Sequence, residues 1–381
     1  MQRITFLDYT RAIACFLVML VHACECYYIF SDTETMLADE SSRLWVSIYD
    51  GFSRMSVPLF MIVSAFLLAP IKEGESAFSF YRKRFIRILP PFFLFMILYA
   101  VLPVAWGQID TSTALEQLVY VPLNFPMTAG HLWFIFPLIG LYLFIPVISP
   151  WLRKVGRREE KFFIILFLIS TCMPYLNFFV GEVWGQCLWN SYHTLWYFSG
   201  YLGYLVLAHY IHRHLTWGTR RRIVVGSIAM TIGAIITILS FYIQTPAGTV
   251  VYTPTAELGW SFCTINCVLL TFGAFLLLSC IKRPVRIITE ISKLSYGMYL
   301  MHIFGLTLWA SFIPRHTDLP VAIEIPLIAI ATYLTSMLAT KLLSLLPGSY
   351  YTVGVKPTHA PKNRALTERQ KSRQIVSTRF T

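Results

Sequence analysis

The sequence predicts an all-α integral membrane protein with about ten transmembrane helices and with both termini in the cytoplasm. Composition, the length of the apolar runs and the alternation of charge between loops all point to this class. Of the 381 residues, 56% are hydrophobic and 13% are charged, and the mean hydropathy is +0.61. An ordinary soluble domain carries a smaller apolar share and about 25% charged residues, so most of this chain is expected to lie in a bilayer.

The apolar runs are long enough to cross a hydrocarbon layer of about 30 Å, which takes about 20 helical residues. The predicted spans cover residues 5–27, 51–70, 85–106, 131–150, 162–179, 194–211, 223–243, 260–281, 294–312 and 322–346. No cleavage site of small residues follows the first run, so we predict a retained helix rather than a signal peptide.

Basic residues concentrate in every second loop. They are Lys72, Arg82, Lys83 and Arg84; Arg153, Lys154, Arg157, Arg158 and Lys161; Arg213, Arg220, Arg221 and Arg222; and Lys282, Arg283, Arg286 and Lys293. The positive-inside rule assigns these loops to the cytoplasm. The net charge of +12 is therefore interpreted as a topology signal, and no nucleic-acid partner is expected.

The chain is predicted to consist of a transmembrane domain over residues 1–350 and a basic, disordered cytoplasmic tail over residues 351–381. Such a tail is suited to contact anionic lipid. The eight cysteines are scattered and none has metal-ligand spacing with histidine, so no metal site is expected.

Helix one carries Asp8, Arg11, His22 and Glu25 in or beside an apolar span. Ionisable groups at membrane depth are costly and usually face a cavity or a partner. Asp8 and Arg11 are three residues apart and are predicted to pair. Arg11 and His22 are separated by about 16 Å along the helix. The alternative for His22 is a buried histidine that is hydrogen-bonded to a neighbouring helix.

Arg84 and Arg87 lie one helical turn apart at the predicted cytoplasmic mouth of helix three, just before Pro90 and Pro91. Two guanidinium groups on one helix face can bind phosphates, and the prolines free backbone groups nearby. Arg87 lies inside the apolar run, so a role in topology alone does not explain it.

Three further segments carry polar or aromatic side chains. Arg54 is expected near the outer end of helix two, and His131 and Trp133 are expected at the outer start of helix four. Tyr299 and His302 share one face of helix nine. Tryptophan at an interface and polar stripes between helices also have purely structural explanations.

With these motifs, the chain resembles the bacterial membrane acyltransferases that O-acylate surface polysaccharides (acyltransferase family 3). The resemblance covers nearly the whole chain, through the Arg11 and His22 pair and the segments SRMSVPLF, RFIRILPP, HLWF and SYGMYLMH. It is strongest to the branch that O-acetylates enterobacterial common antigen. Ala65 stands where many members have a glycine. The resemblance implies an acyl-coenzyme A donor on the cytoplasmic side, with the helix-three arginines near it.

The expected reaction is transfer of an acetyl group from acetyl-coenzyme A to a hydroxyl of a surface polysaccharide, or of its lipid-linked precursor, at the outer face of the inner membrane. Succinyl transfer is the alternative acyl chemistry. A transporter or flippase of a lipid-linked saccharide is the competing class, and a sensor or scaffold is a third. Partners other than the glycan and membrane lipids are not predicted, and a homodimer is left open.

Each candidate residue has a role in this scheme. His22, Arg11 and Glu25 are predicted to be catalytic, with His22 taking the proton of the attacking hydroxyl or carrying the acyl group itself. The predicted donor-binding residues are Arg84, Arg87 and Arg11, with Asp8 orienting Arg11. The predicted acceptor-binding residues are Arg54, His131, Trp133, Tyr299 and His302, with Trp184 and Trp196 as further surfaces for sugar rings.

Overall fold

The computed structural model describes residues 3–121, 123–181, 183–185 and 192–356. The α-helices in these ranges are α1 (Thr5–Cys24), α2 (Glu40–Ser53), α3 (Ser56–Leu68), α4 (Ala77–Ala105), α5 (Thr111–Tyr120), α6 (Ile135–Lys154), α7 (Arg157–Ser170), α8 (Met173–Val180), α9 (Tyr201–His214), α10 (Thr219–Gln244), α11 (Thr253–Ala256), α12 (Ile265–Leu278), α13 (Arg286–His316), α14 (Val321–Leu343) and α15 (Ser349–Thr352). Four 3-10 helices cover Glu25–Tyr27, Met127–Phe134, His193–Phe198 and Leu258–Trp260. Three short strands are β1 (Ile29–Phe30), β2 (Glu34–Met36) and β3 (Val251–Tyr252).

Nine helical segments within these ranges are long and apolar enough to cross a membrane, which confirms the all-α membrane class. The predicted span 194–211 has no counterpart among these nine segments. It corresponds to the 3-10 helix His193–Phe198 and to α9, which alone is about 21 Å long. Gly200 separates the two with a φ of 70°, a conformation that glycine adopts at low cost and that interrupts a helix. Which side of the membrane holds each terminus stays a prediction.

The second span begins earlier than predicted and is interrupted in its interior. It runs over Glu40–Leu68, with a turn at residues 54–55 between α2 and α3. Arg54 therefore lies within the span and is buried, whereas the sequence pattern predicted it near the outer end. The polar residues of α2 lower the hydropathy of this part of the span, so the sequence pattern did not include it. The charge of Arg54 is neutralised by Asp50 one turn earlier.

Helix α1 lies at the centre of the helical bundle, against α13, α14, α3 and α2. Its small side chains Ala14 and Ala23 are fully buried, which lets neighbouring helices approach closely. Helices α10 and α12 pack even closer: a Cβ atom added at Gly233 would lie 2.4 Å from the backbone nitrogen of Leu270. The ionisable residues of α1 thus lie on a helix that is packed against four others.

A three-stranded antiparallel sheet in the order β1-β2-β3 joins the segment after α1 to the segment after α10. Ile29 pairs with Met36, and Glu34 pairs with Tyr252. A hydrogen bond of 2.9 Å between the hydroxyls of Thr35 and Thr253 further links the two segments. The sheet positions the loop that carries residues 30–33 beside the residues that follow β3.

The last described residues fold back onto the domain. Val353 is fully buried, and the carbonyl oxygen of Gly354 accepts a hydrogen bond of 3.3 Å from Nε of Arg87. Residues 351–356, which the sequence assigned to the tail, therefore contact the helices. Residues 357–381 of the predicted tail lie outside the described residues.

Candidate functional site

A cavity of about 800 Å³ opens at the N-terminal end of α1, and we call it the inner cavity. Its charged lining residues, among those described, are Arg3, Asp8, Arg11, Lys83, Arg84, Arg87, Lys293 and Lys356. Seven of these side chains are cationic and one is a carboxylate. The cavity is therefore strongly electropositive and suited to a polyanionic ligand.

Arg11, Arg84 and Arg87 all line this cavity, as the family resemblance implied. All three also line a narrower pocket of about 130 Å³ that continues from the inner cavity. In the described part of the chain, no ion pair involves any of the three, although the guanidinium of Arg84 lies 5.4 Å from the ring centre of Phe80. Guanidinium groups with no carboxylate partner are available for an anion.

The predicted pairing of Asp8 with Arg11 is wrong. The carboxylate of Asp8 accepts hydrogen bonds of 2.5 and 2.9 Å from Arg3 and one of 2.7 Å from the hydroxyl of Ser292. Arg3 precedes α1, so its side chain can reach over the helix end and donate from both Nε and Nη2. This pairing leaves Arg11 free to face the cavity.

Tyr299 and Phe134 are among the residues that line the narrow pocket. The hydroxyl of Tyr299 donates to the backbone carbonyl of His131, which lines a second cavity on the other side. This second cavity, of about 740 Å³, is called the outer cavity. It shares no lining residue with the narrow pocket, so Tyr299, Phe134 and His131 form the partition between the two.

His22 and Glu25 form a hydrogen-bonded pair in the outer cavity. Nδ1 of His22 lies 2.6 Å from Oε2 of Glu25, and both residues line the cavity. A carboxylate only accepts, so Nδ1 carries the proton and Nε2 of a neutral His22 has a free lone pair. The pair has the geometry of a general base held by an acidic partner.

Two further histidines, His131 and His302, lie close to His22. The sequence alone could not show this proximity. The ring centre of His302 lies 5.1 Å from that of His22 and 4.9 Å from that of His131. Nδ1 of His302 donates to the carbonyl of Tyr299 at 2.6 Å. Among the described residues, Nε2 of His302 and both ring nitrogens of His131 have no hydrogen-bond partner, although both residues are buried. Buried polar groups without a partner indicate that these side chains bind a ligand.

These histidines are not arranged as a metal centre. Within the described ranges, no group of three or more His, Cys, Asp or Glu side chains has a geometry that could hold a metal ion. The imidazole side chains of the cluster can form hydrogen bonds and transfer protons.

Arg54 lies in the wall of the outer cavity and is held by Asp50, a residue that sequence reasoning missed. Nε of Arg54 lies 2.7 Å from Oδ1 of Asp50, and Nη2 donates to Oδ2 at 2.9 Å. The guanidinium also lies 4.1 Å from the ring centre of Trp260 and 4.0 Å from Oε1 of Glu257. A signal existed for Asp50, since it precedes Arg54 by four residues.

The predicted tryptophan surfaces divide into two groups. Trp133 lines the outer cavity and stacks on Phe262, with ring centres 5.6 Å apart. Trp184 and Trp196 are exposed and do not line this cavity. Trp260, which was not singled out, is buried and stacks on Phe241 beneath Arg54.

We expect Asp50→Ala to lower stability strongly, because it leaves the buried charge of Arg54 without its main partner, at a cost of about 3–5 kcal/mol. The melting temperature of the purified protein in detergent measures this. The matched control is Glu75→Ala, which removes the partner of the exposed Lys83 and should change the melting temperature much less.

The double variant Asp50→Ala/Arg54→Met separates lost pairing from lost packing. It should regain much of the stability, since no charge remains buried and unpaired. A melting temperature of Asp50→Ala equal to that of the unaltered protein would show that the ion pair does not stabilise the fold.

The fold and the site together define a multi-pass membrane protein with a histidine cluster between two cavities. A family model described as an acyltransferase domain matches residues 4–341, nearly the whole chain. The chain therefore belongs to acyltransferase family 3, and acyl transfer is its class of reaction. The match does not single out the branch that acts on enterobacterial common antigen. No curated protein and no solved structure matches the chain significantly.

Proposed function

We propose that the protein transfers an acetyl group from cytoplasmic acetyl-coenzyme A to a hydroxyl of a surface polysaccharide, or of its lipid-linked precursor, at the outer face of the bacterial inner membrane. The observation that carries this proposal is the position of two chemically different sites on one helix. Arg11 faces the electropositive inner cavity, and His22 with Glu25 faces the outer cavity about 16 Å further along α1. In this arrangement both termini lie in the cytoplasm.

The inner cavity is the proposed donor site. Phosphates are too costly to move into hydrocarbon, so the nucleotide end of coenzyme A stays at the mouth. Arg84, Arg87 and Arg11 bind its phosphates there. The thin pantetheine arm follows the narrow pocket toward Tyr299, which brings the thioester to the partition between the cavities. An acetyl group is the proposed acyl group, and succinyl is the alternative.

His22 is the proposed general base for direct transfer. Glu25 accepts a hydrogen bond from Nδ1 of His22, so Nε2 is free to accept a proton. Nε2 takes the proton of the acceptor hydroxyl while the hydroxyl oxygen bonds to the acyl carbon. The bond from the acyl carbon to sulfur then breaks, and the thiolate of coenzyme A takes up the proton from His22. A covalent acyl-histidine is the alternative, and it would retain label on the protein when acetyl-coenzyme A is given without an acceptor.

Residues that line the outer cavity, together with His302 beside His22 and His131, bind the acceptor and the reacting carbonyl. His131 and His302 supply ring nitrogens that have no hydrogen-bond partner among the described residues. A protonated ring nitrogen of His131 is suited to stabilise the oxyanion that forms on the acyl carbonyl. Trp133 offers a flat surface to a sugar ring, and Arg54 provides a donor at the cavity wall.

A transporter or flippase would also have many spans and an arginine-rich mouth, and one assay separates the classes. We expect the purified full-length protein to consume radiolabelled acetyl-coenzyme A, with the label recovered on a membrane glycan extract or as acetate. The Arg158→Ala variant is the control, since Arg158 is exposed and lines neither cavity. Transport of a lipid-linked saccharide without any consumption of acetyl-coenzyme A would overturn the proposal.

A further inference from the structure

The two cavities carry opposite charge. The inner cavity is lined by cations, whereas the outer cavity has three carboxylates, on Glu25, Asp32 and Glu257, and a single guanidinium among the described residues. That guanidinium belongs to Arg54 and is already compensated by Asp50 at 2.7 Å. The electrostatic potential in the outer cavity is therefore set by its carboxylates.

These carboxylates come from three separate elements. Glu25 lies in the 3-10 helix after α1, Asp32 lies between β1 and β2, and Glu257 follows α11. The Glu25 and Glu257 side chains remain 38% and 31% exposed, so both are accessible from the cavity. Carboxylates on several sides repel an anion, while each can accept hydrogen bonds from sugar hydroxyls or from an ammonium group.

Two further features of the cavity indicate what it binds. His131 lines this cavity and is 95% buried, and neither of its ring nitrogens has a hydrogen-bond partner in the ranges that the structure describes. Trp133, stacked on Phe262, adds an aromatic surface of the kind that packs on a sugar ring. The acidic residues thus belong to a built site with both polar and aromatic contacts.

We infer that the part of the acceptor that enters the outer cavity is an uncharged or amine-bearing saccharide, and that Glu25, Asp32 and Glu257 exclude uronates and sugar phosphates. This inference rests on the proposed function and specifies its acceptor. In a lipid-linked acceptor, the phosphates remain outside the cavity. The same carboxylates prevent coenzyme A from entering on this side, which gives the reaction a fixed direction across the membrane.

The test offers two soluble probes with the same sugar skeleton, methyl glucoside and methyl glucuronide, to the purified full-length protein with labelled acetyl-coenzyme A. The neutral probe should be acetylated about ten-fold or more faster than the anionic one. In Asp32→Asn/Glu257→Gln this preference should shrink by about five-fold or more, because the repelling charges are gone. Glu116→Gln, at an exposed site away from both cavities, is the matched control and should keep the preference.

Equal or faster use of methyl glucuronide, or an unchanged preference in the double variant, overturns the inference. If neither probe is acetylated, inhibition of acetyl-coenzyme A hydrolysis ranks them, and equal inhibition or none counts against the inference. If the protein consumes no acetyl-coenzyme A, the proposed function fails. The quenching of tryptophan fluorescence by each probe then ranks their binding separately, and equal or absent binding again overturns the inference.

Discussion

Replacement of His22 by alanine should reduce the turnover number for acetyl transfer by about 10²–10⁴-fold, the usual contribution of a positioned general base. The donor Michaelis constant should change little, because His22 lines the outer cavity and not the arginine-rich one. Initial rates with purified protein at varied acetyl-coenzyme A concentrations measure both constants. Glu25→Gln should give a smaller loss, since the imidazole keeps a hydrogen-bond partner but loses the charge that stabilises its protonated form.

His316 provides the control for this change. It is an exposed histidine at the end of α13, and its Nδ1 donates to the carbonyl of Phe312. His316→Ala should leave the turnover number unchanged. If His22→Ala retains activity within a few-fold of the unaltered protein, another group is the base, and Nε2 of His302 is the next candidate because it has no partner.

The Arg84→Ala substitution should raise the Michaelis constant for acetyl-coenzyme A by about 10- to 100-fold, since one charge-assisted phosphate contact is lost. The turnover number at saturating donor should fall much less. Arg87→Ala should have a similar effect, but it also removes the hydrogen bond to the Gly354 carbonyl. Arg84→Ala is therefore the cleaner variant, and the double variant should fall short of additivity because both groups face one ligand.

Arg84→Lys and Arg158→Ala serve as controls for this result. Lysine keeps the charge but not the planar pair of donors, so an intermediate Michaelis constant is expected. Arg158→Ala removes an exposed charge from a basic loop without touching the cavity and should change nothing. A normal donor constant in Arg84→Ala combined with weaker acceptor use would show that the donor binds in the other cavity.

Features encoded by local spacing were predictable from the sequence. The His22 and Glu25 pair and the shared face of Tyr299 and His302 follow from helical repeats of three and four residues. The convergence of Arg84 and Arg87 with Arg11 followed from the resemblance and is met by the geometry of the inner cavity. Their roles in binding and catalysis remain predictions.

Features that depend on tertiary packing were not predictable. His131 and His302 are 171 positions apart in the chain. Their ring centres lie 4.9 Å apart because α13 packs beside the 3-10 helix Met127–Phe134. Asp8 was assigned to the wrong arginine because helical spacing does not account for Arg3, which lies before the helix begins. Asp50 was missed because its spacing of four residues from Arg54 allows a pair but does not show that both side chains are buried.

The segment after α15 has a practical consequence for work with this protein. Tyr350, Gly354, Val355 and Lys356 line the inner cavity, and the Gly354 carbonyl restrains Arg87. A chain that ends at residue 350, the boundary that composition suggests, would thus lose part of the cavity wall. A fluorescent fusion or affinity tag after residue 381 keeps that wall intact. Truncations designed to improve crystallisation should therefore end beyond Lys356.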